Sequence, residues 1–251
     1  MDILKLRAWY RTPMGHMVRR VLQTHINHQW ETLKGKRVLV VGYGEPYIKL
    51  WLKESQVFCG MNGRSGSVKW PESGDSRTCL LWDDAMPFAG CTFDAIFIIH
   101  SLEFSDNADA YLAECQRVLK DDGEILIITP NRTGAWCRAD DCPLGRGEPY
   151  SAGQLVRLLR HASLGVRHIQ QALYVPPHHS AWLWKHSGFF EKWGQRLKPP
   201  IGGVHIVCAY KDIHAGAVFA PKITEVCVVL CCRYRHRLNY TFKLCTLFVT
   251  V

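Results

Sequence analysis

Between Lys5 and Trp30 the sequence has no acidic residue, although Lys5, Arg7, Arg11, Arg19 and Arg20 all lie there. It also lacks any apolar run approaching the ~20 residues that a membrane-crossing helix needs, which argues against an integral membrane protein. No charged start, apolar middle and small-residue cleavage site opens the chain, so a secretory leader is not expected. The cysteines supply no framework either. There are 11, an odd number at irregular spacings, and the one tight pair of the body, Cys137 and Cys142, has no second pair with which to hold zinc. No metal site is expected, the thiols read as small buried side chains or loop residues, and a reducing, cytoplasmic compartment is the natural setting.

What is present is the composition of an ordinary folded protein. Its 251 residues, 47% apolar and 21% charged, suit one large α/β core better than two small ones. The formal charge of +9 is uneven: residues 1–211 hold 26 Lys and Arg against 20 acids, and residues 212–251 hold 5 against 2. Such an excess ordinarily marks a solvated surface. It points to an anionic partner, nucleic acid or phospholipid, only where the charges gather on one face. The acid-free N-terminal stretch reads as a solvated helix face, with a transit segment or a membrane-surface helix as alternatives.

Thr12 and Pro13 make a good helix start, and the helix should run to about Leu33, ended by Lys34 and Gly35. Val38 to Val41 is a continuous apolar run, as in a strand buried on both faces of a parallel sheet. Val57–Gly60, Leu80–Trp82 and Phe93–Ile99 follow as strands, with a polar, glycine-rich loop over Asn62–Ser76 that has room for a short element at Val68–Trp70. Ala108–Leu119 carries Tyr111, Leu112, Cys115, Val118 and Leu119 at helical spacing. Asp121-Asp122-Gly123 then turns the chain into a fifth strand, Glu124–Thr129, stopped by Pro130. The alternation predicts an α/β fold, a Rossmann-like, doubly wound and mostly parallel sheet with helices on both faces.

Ligands of such sheets bind beyond the C-terminal ends of the strands. At the first of those ends, Gly42-Tyr43-Gly44-Glu45-Pro46 supplies two glycines where the chain must turn sharply and a ligand can approach the backbone. A dinucleotide fingerprint needs a third glycine where Tyr47 stands, which counts against a nicotinamide cofactor. Further along come Asp83-Asp84-Ala85-Met86-Pro87-Phe88, Phe93-Asp94-Ala95-Ile96, His100-Ser101-Leu102-Glu103-Phe104 and Arg117-Val118-Leu119-Lys120-Asp121-Asp122-Gly123-Glu124.

In order and spacing this series, over most of residues 36–131, resembles the class I S-adenosylmethionine-dependent methyltransferases of the small-molecule type. Asn131-Arg132, Gly147-Glu148-Pro149-Tyr150-Ser151 and Leu173-Tyr174-Val175-Pro176-Pro177 are similar to a bacterial branch of methyltransferase-domain proteins, in which a last strand, here Gly203–Tyr210, closes the domain. The resemblance implies a methyltransferase-like domain over 36–211, preceded by an N-terminal helical segment, 1–35. The extension 212–251 matches nothing in the family. Its apolar runs Val226–Cys232 and Leu244–Val251 flank the basic stretch Arg233–Arg237 and read as an added hairpin, a membrane-surface contact or, preferred, an unevolved extension.

The same resemblance implies S-adenosylmethionine as cofactor. Gly42, Tyr43 and Gly44 would lie against its methionine part, Asp84 would accept from the adenine amino group with Ala85 alongside, and His100 and Ser101 would line the cleft beside the sulfonium. Met61 falls where the family has the acid that holds the ribose. Val40 and Pro46 also depart from the family pattern, at an acidic position of the first strand and at the third glycine of the loop. Methyl transfer from a sulfonium is a direct displacement, so alignment and exclusion of water are the main requirements, with no triad or metal implied. Where the acceptor must lose a proton, His100 is the candidate base, and the His178–His179 pair is a second.

The acceptor is expected to be a small or lipid-like molecule. The alternatives are a catalytically inactive binding or regulatory protein and an RNA methyltransferase. Trp182-Leu183-Trp184, Phe189-Phe190 and Trp193, at near-helical spacing, read as ordinary core, with a substrate-pocket cap or a membrane-surface contact as alternatives.

Overall fold

A computed structural model describes residues 2–212 apart from Glu31, residues 64–65 and 72–73, His179, and the side chains of Lys49, Leu50 and Leu52. The extension beyond Asp212, with its expected strands, lies outside the described residues. Two helices open the chain, α1 (Ile3–Tyr10) and α2 (Pro13–Gln29). Asp2 caps the first by accepting from Leu4 N–H, and Thr12 caps the second by accepting from Gly15 N–H. The spacing expectation thus holds for α2, which stops four residues short of Leu33, and α1 precedes it as a separate helix.

Among the described residues seven strands form one sheet: β1 (Arg37–Gly42), β2 (Gln56–Asn62), β3 (Thr78–Leu81), β4 (Phe93–Ile99), β5 (Leu119–Pro130), β6 (Leu164–Ala172) and β7 (Val204–Lys211), in the order β3-β2-β1-β4-β5-β7-β6. The first five run parallel, and β7 is antiparallel to both its neighbours. The strand order reverses between β1 and β4, which opens a crevice at their C-terminal ends. Val68–Trp70 forms no strand. Asp121-Asp122-Gly123 is not a turn before β5 but an irregularity within it: the partner of Phe93 is Leu119, whereas that of Ala95 is already Glu124.

Side chains alternate across the strands, so each strand serves two cores. Leu39, Val41, Ile96, Ile98, Ile125 and Ile127 face α3 (Ala108–Val118) and α4 (Ala152–His161). Val38, Val40, Phe97, Leu126 and Ile128 face α1 and α2. The connection from β1 to β2 holds only a single 3₁₀ segment, Ile48–Lys53, so the N-terminal helices share the cover of that side. Helices α5 (Ala181–Lys185) and α6 (Ser187–Leu197) complete it at the β6 edge. There Leu183, Trp184 and Phe190 reach the core as expected, but Trp182, Phe189 and Trp193 face outward.

Several motif residues turn out to be struts. Asp94 accepts from Arg37 N–H at 2.7 Å and from Lys120 Nζ at 2.6 Å, tying together the starts of β1, β4 and β5. Partial burial pushes its carboxyl up, but these donors outweigh that and hold its pKa below the usual value. Glu114 accepts from Met86 N–H at 2.8 Å and from Arg117 Nε at 2.7 Å, and Arg117 also donates to the carbonyls of Phe88 and Met86. The Met86-Pro87-Phe88 segment is thereby clamped to α3.

Candidate functional site

The crevice is built from the strand ends upward. Gly42 leaves β1 at φ +93°, and a Cβ placed on it would lie 2.1 Å from the carbonyl oxygen of Ile99. Only glycine lets β1 pass so close to the end of β4. A Cβ on Gly44 would lie 2.3 Å from Val40 Cγ1, so the second glycine lets the loop curl back onto the α1/α2 face of the sheet. Val40, which departs from the family's acidic residue, therefore forms the floor under that loop. Tyr43 N–H donates to Ile99 O, and the Tyr43 hydroxyl donates to Glu45 at 3.2 Å.

At the end of β4, His100 adopts a left-handed backbone, φ +52°, uncommon outside glycine. Its side chain is 1% exposed, with Nδ1 at 3.5 Å from Glu103 Oε1 and Nε2 at 2.7 Å from the Tyr10 hydroxyl. That hydroxyl also lies 2.9 Å from the hydroxyl of Tyr47. Burial raises the pKa of both phenols, so both stay protonated at neutral pH. If Tyr47 donates to Tyr10 and Tyr10 to Nε2, the ring proton of His100 sits on Nδ1, toward the buried Glu103 oxygen that has no closer donor. Glu103 Oε2 accepts from Ser101 N–H, and Ser101 Oγ accepts from Tyr111. Tyr10 and Tyr47 thus join the site although the sequence motifs pointed to neither in that role.

On the β2 and β3 side, Met61 points into the core, and its Sδ accepts from Val68 N–H. By alternation it is Asn62 that carries the polar group at the strand end. Its amide donates to Asp83 at 2.9 Å, and Asp83 also accepts from the Ser105 hydroxyl and Asp106 N–H. Asp84 lies exposed in the turn closed by Trp82 and Ala85. The resemblance assigned the adenine contact to Asp84, whereas the carboxylate that neighbouring groups hold at this strand end is that of Asp83. His178 is exposed in the loop after β6, and its neighbour His179 lies outside the described residues.

Above the glycine turn is a cavity of about 580 Å³. Tyr10, Tyr43 and Glu45 line its base, and Arg7, Arg11, His16 and Arg19 reach it from the elbow between α1 and α2. Spacings of four residues between Arg7 and the helix-ending Arg11, and of three between His16 and Arg19 in α2, bring these side chains to one side. Burial and the neighbouring Glu45 raise the pKa of the Tyr43 phenol, while Arg7 and Arg11 pull it back.

Residues 71–127 match the methyltransferase domain family. Among curated proteins, a sterol 4-C-methyltransferase of Caenorhabditis elegans is 35% identical over 65 residues, which are 25% of this chain and 20% of that enzyme, so the match spans about a fifth of the relative's length. Among solved structures, a chain from the complex between the Haloferax volcanii Trm112 methyltransferase activator and a methyltransferase superposes with a TM-score of 0.57 at 15% identity, over 84% of this chain and 97% of that one. An S-adenosylmethionine-dependent methyltransferase of Thermotoga maritima gives 0.55 at 14% identity, over 84% and 95%. One from Archaeoglobus fulgidus gives 0.54 at 16% identity, over 77% and 94%. The sheet order and these superpositions show that the chain has the fold of the class I methyltransferases, and residues 71–127, from the loop before β3 into β5, carry methyltransferase-domain sequence.

Proposed function

We propose that the protein is an S-adenosylmethionine-dependent methyltransferase acting on a small, lipid-like acceptor. The observation that carries this reading is the gathering, at the switch point between β1 and β4, of the Gly42 turn, the buried Tyr47–Tyr10–His100–Glu103 chain and a cavity of about 580 Å³. The match to a sterol methyltransferase, short as it is, supports a lipid-like acceptor over a polar one.

The groups on hand suit this cofactor at its amino-acid end, whose carboxylate the guanidiniums of the α1–α2 elbow would hold and whose ammonium Glu45 would hold. At the nucleoside end Asn62 and Asp83 replace the family's single acid, and their mutual hydrogen bond has to open or be shared. When bound, S-adenosylmethionine supplies an electrophilic methyl group. Tyr10 stands between the cavity and His100, so a proton leaving an acceptor hydroxyl passes to Nε2 through the Tyr10 phenol, and Glu103 steadies the imidazolium that results. Aligning the two reactants and excluding water are the remaining tasks, and the aromatic side chains of Tyr10 and Tyr43 on the cavity wall serve the second.

S-Adenosylhomocysteine at a hundred times its dissociation constant should stabilise the fold by about 2.7 kcal/mol, readable as a thermal shift. No shift at millimolar ligand would refute the reading. The Asn62–Asp83 bond favours a second reading, a protein that binds the cofactor without turning it over. Cofactor binding with no labelled methyl transferred to any component of a lipid extract would select it.

A further inference from the structure

The outward face of α6 has a composition that a water-facing surface does not call for. Phe189, Trp193 and Leu197 recur every fourth residue and stand 60%, 49% and 70% exposed. Trp182 on α5 and Ile201 just beyond α6 add two more large apolar side chains at 61% and 59%. The rings are continuous: Trp182 meets Phe190 at 6.2 Å, Phe190 meets Phe189 at 6.0 Å, and Phe189 meets Trp193 at 6.0 Å between centroids. Lone exposed apolar residues are ordinary, but a connected stripe of this kind marks a contact surface.

The polar residues around the stripe are of one sign. Lys185, Lys192, Arg196 and Lys198 are all exposed, and among the described residues none has an ion-pair partner. The single acid of this segment, Glu191, is turned inward, where it meets His25 Nε2 at 2.8 Å and Tyr174 N–H at 3.1 Å. Gly194 lets this inner side seat tightly, since a Cβ there would lie 2.1 Å from the Tyr174 ring. The helix is therefore held by one side and offers aromatic, aliphatic and cationic groups on the other. That is the pattern of a helix lying in a membrane interface, with Trp and Phe at headgroup depth and Lys and Arg toward anionic lipid.

We propose that the protein docks on anionic bilayers through this face of α6, with Trp182 and Ile201 extending the contact. No described helix is long and apolar enough to cross a membrane, so the contact is superficial. A second copy of the chain fits less well, because a two-fold pairing of the face would bring its unpaired cations together. Single-stranded nucleic acid would use the rings and the cations but has no use for Leu197 and Ile201, which stack on no base. The inference goes beyond the cofactor reading and does not depend on it, since docking needs no turnover.

The full chain should cosediment with vesicles of phosphatidylcholine and phosphatidylglycerol, with tryptophan emission shifting to the blue, and much less with phosphatidylcholine alone. The triple variant Phe189→Ser, Trp193→Ser, Leu197→Ser should lose at least tenfold in vesicle partitioning while keeping its circular dichroism and melting temperature. A second variant, Lys192→Glu with Arg196→Glu, should lose most of the preference for the anionic vesicles. Failure of the wild-type chain to bind vesicles would overturn the proposal, as would equal binding by the triple variant. So would a stripe-dependent dimer in sedimentation velocity without vesicle binding, or RNA binding that the stripe substitutions abolish while vesicle binding persists.

Discussion

On the α3/α4 side of the sheet, the residues that carry the family resemblance mainly hold strands and helices together: Glu114 and Arg117 clamp the loop after β3, while Asp94, at the sheet's lower edge, joins three strand starts. On the α1/α2 side the family pattern fades, and in its place Tyr10, Tyr43, Tyr47 and Val40 pack under a ring of arginines. The contrast teaches that sequence motifs can report the scaffold more faithfully than the chemistry. A strut is fixed by local geometry that every member of the fold shares. A cleft is filled from wherever the chain can reach it.

The most severe test of that contrast is Arg117→Leu. It takes the guanidinium from two backbone carbonyls and from the Glu114 carboxylate, which keeps only the Met86 N–H, and should cost about 3–5 kcal/mol in urea unfolding. Cofactor affinity of the remaining folded protein should be unchanged; the reverse outcome, full stability with lost affinity, would break the distinction between strut and site.

His205 on β7 faces the same side as Val207 and Ala209 and is 2% exposed, and burial pushes its pKa down to about 4. Because the folded value is depressed, the unfolded chain binds the extra proton first as pH falls. The stability that neutral His205 permits is whole above about pH 6.5 and lost on going down to pH 4, by about 3 kcal/mol. Substituting His205→Gln should flatten the stability profile across that window, and an unchanged slope would put the acid sensitivity elsewhere.

A smaller effect is expected for Tyr10→Phe, which removes the hydroxyl shared by Tyr47 and His100. Stability should fall by about 1–2 kcal/mol, and transfer to an acceptor hydroxyl should slow. Least of all, Asp84→Asn should change stability by under about 0.5 kcal/mol, since the side chain is exposed in its turn, whereas Asp83→Asn should cost more. Equal effects at the two positions would erase the distinction drawn between them.

Much of the fold was legible because its signals are local. Val38–Val41 and Phe93–Ile99 are apolar without interruption, as strands buried on both faces must be, and Ala108–Val118 shows its stripe at helical spacing. Strand β6 was missed because its burial is mixed along its length at the sheet's edge, and α4 because its start was read only as a family segment. The aromatic section 182–193 shows a different limit: periodicity tells which residues share a face, not whether that face looks inward. The site was the least legible part. Gly42 announced itself through the turn it makes, but nothing near Tyr10 in the sequence says that it will meet His100, 90 positions away.

That separation also sets an order of events during synthesis. Tyr10 leaves the ribosome on the order of ten seconds before His100 at ordinary elongation rates. The N-terminal helices must therefore wait, or pack provisionally, until β4 has emerged and joined β1. The last step in completing this proton path is the docking of the first residues made.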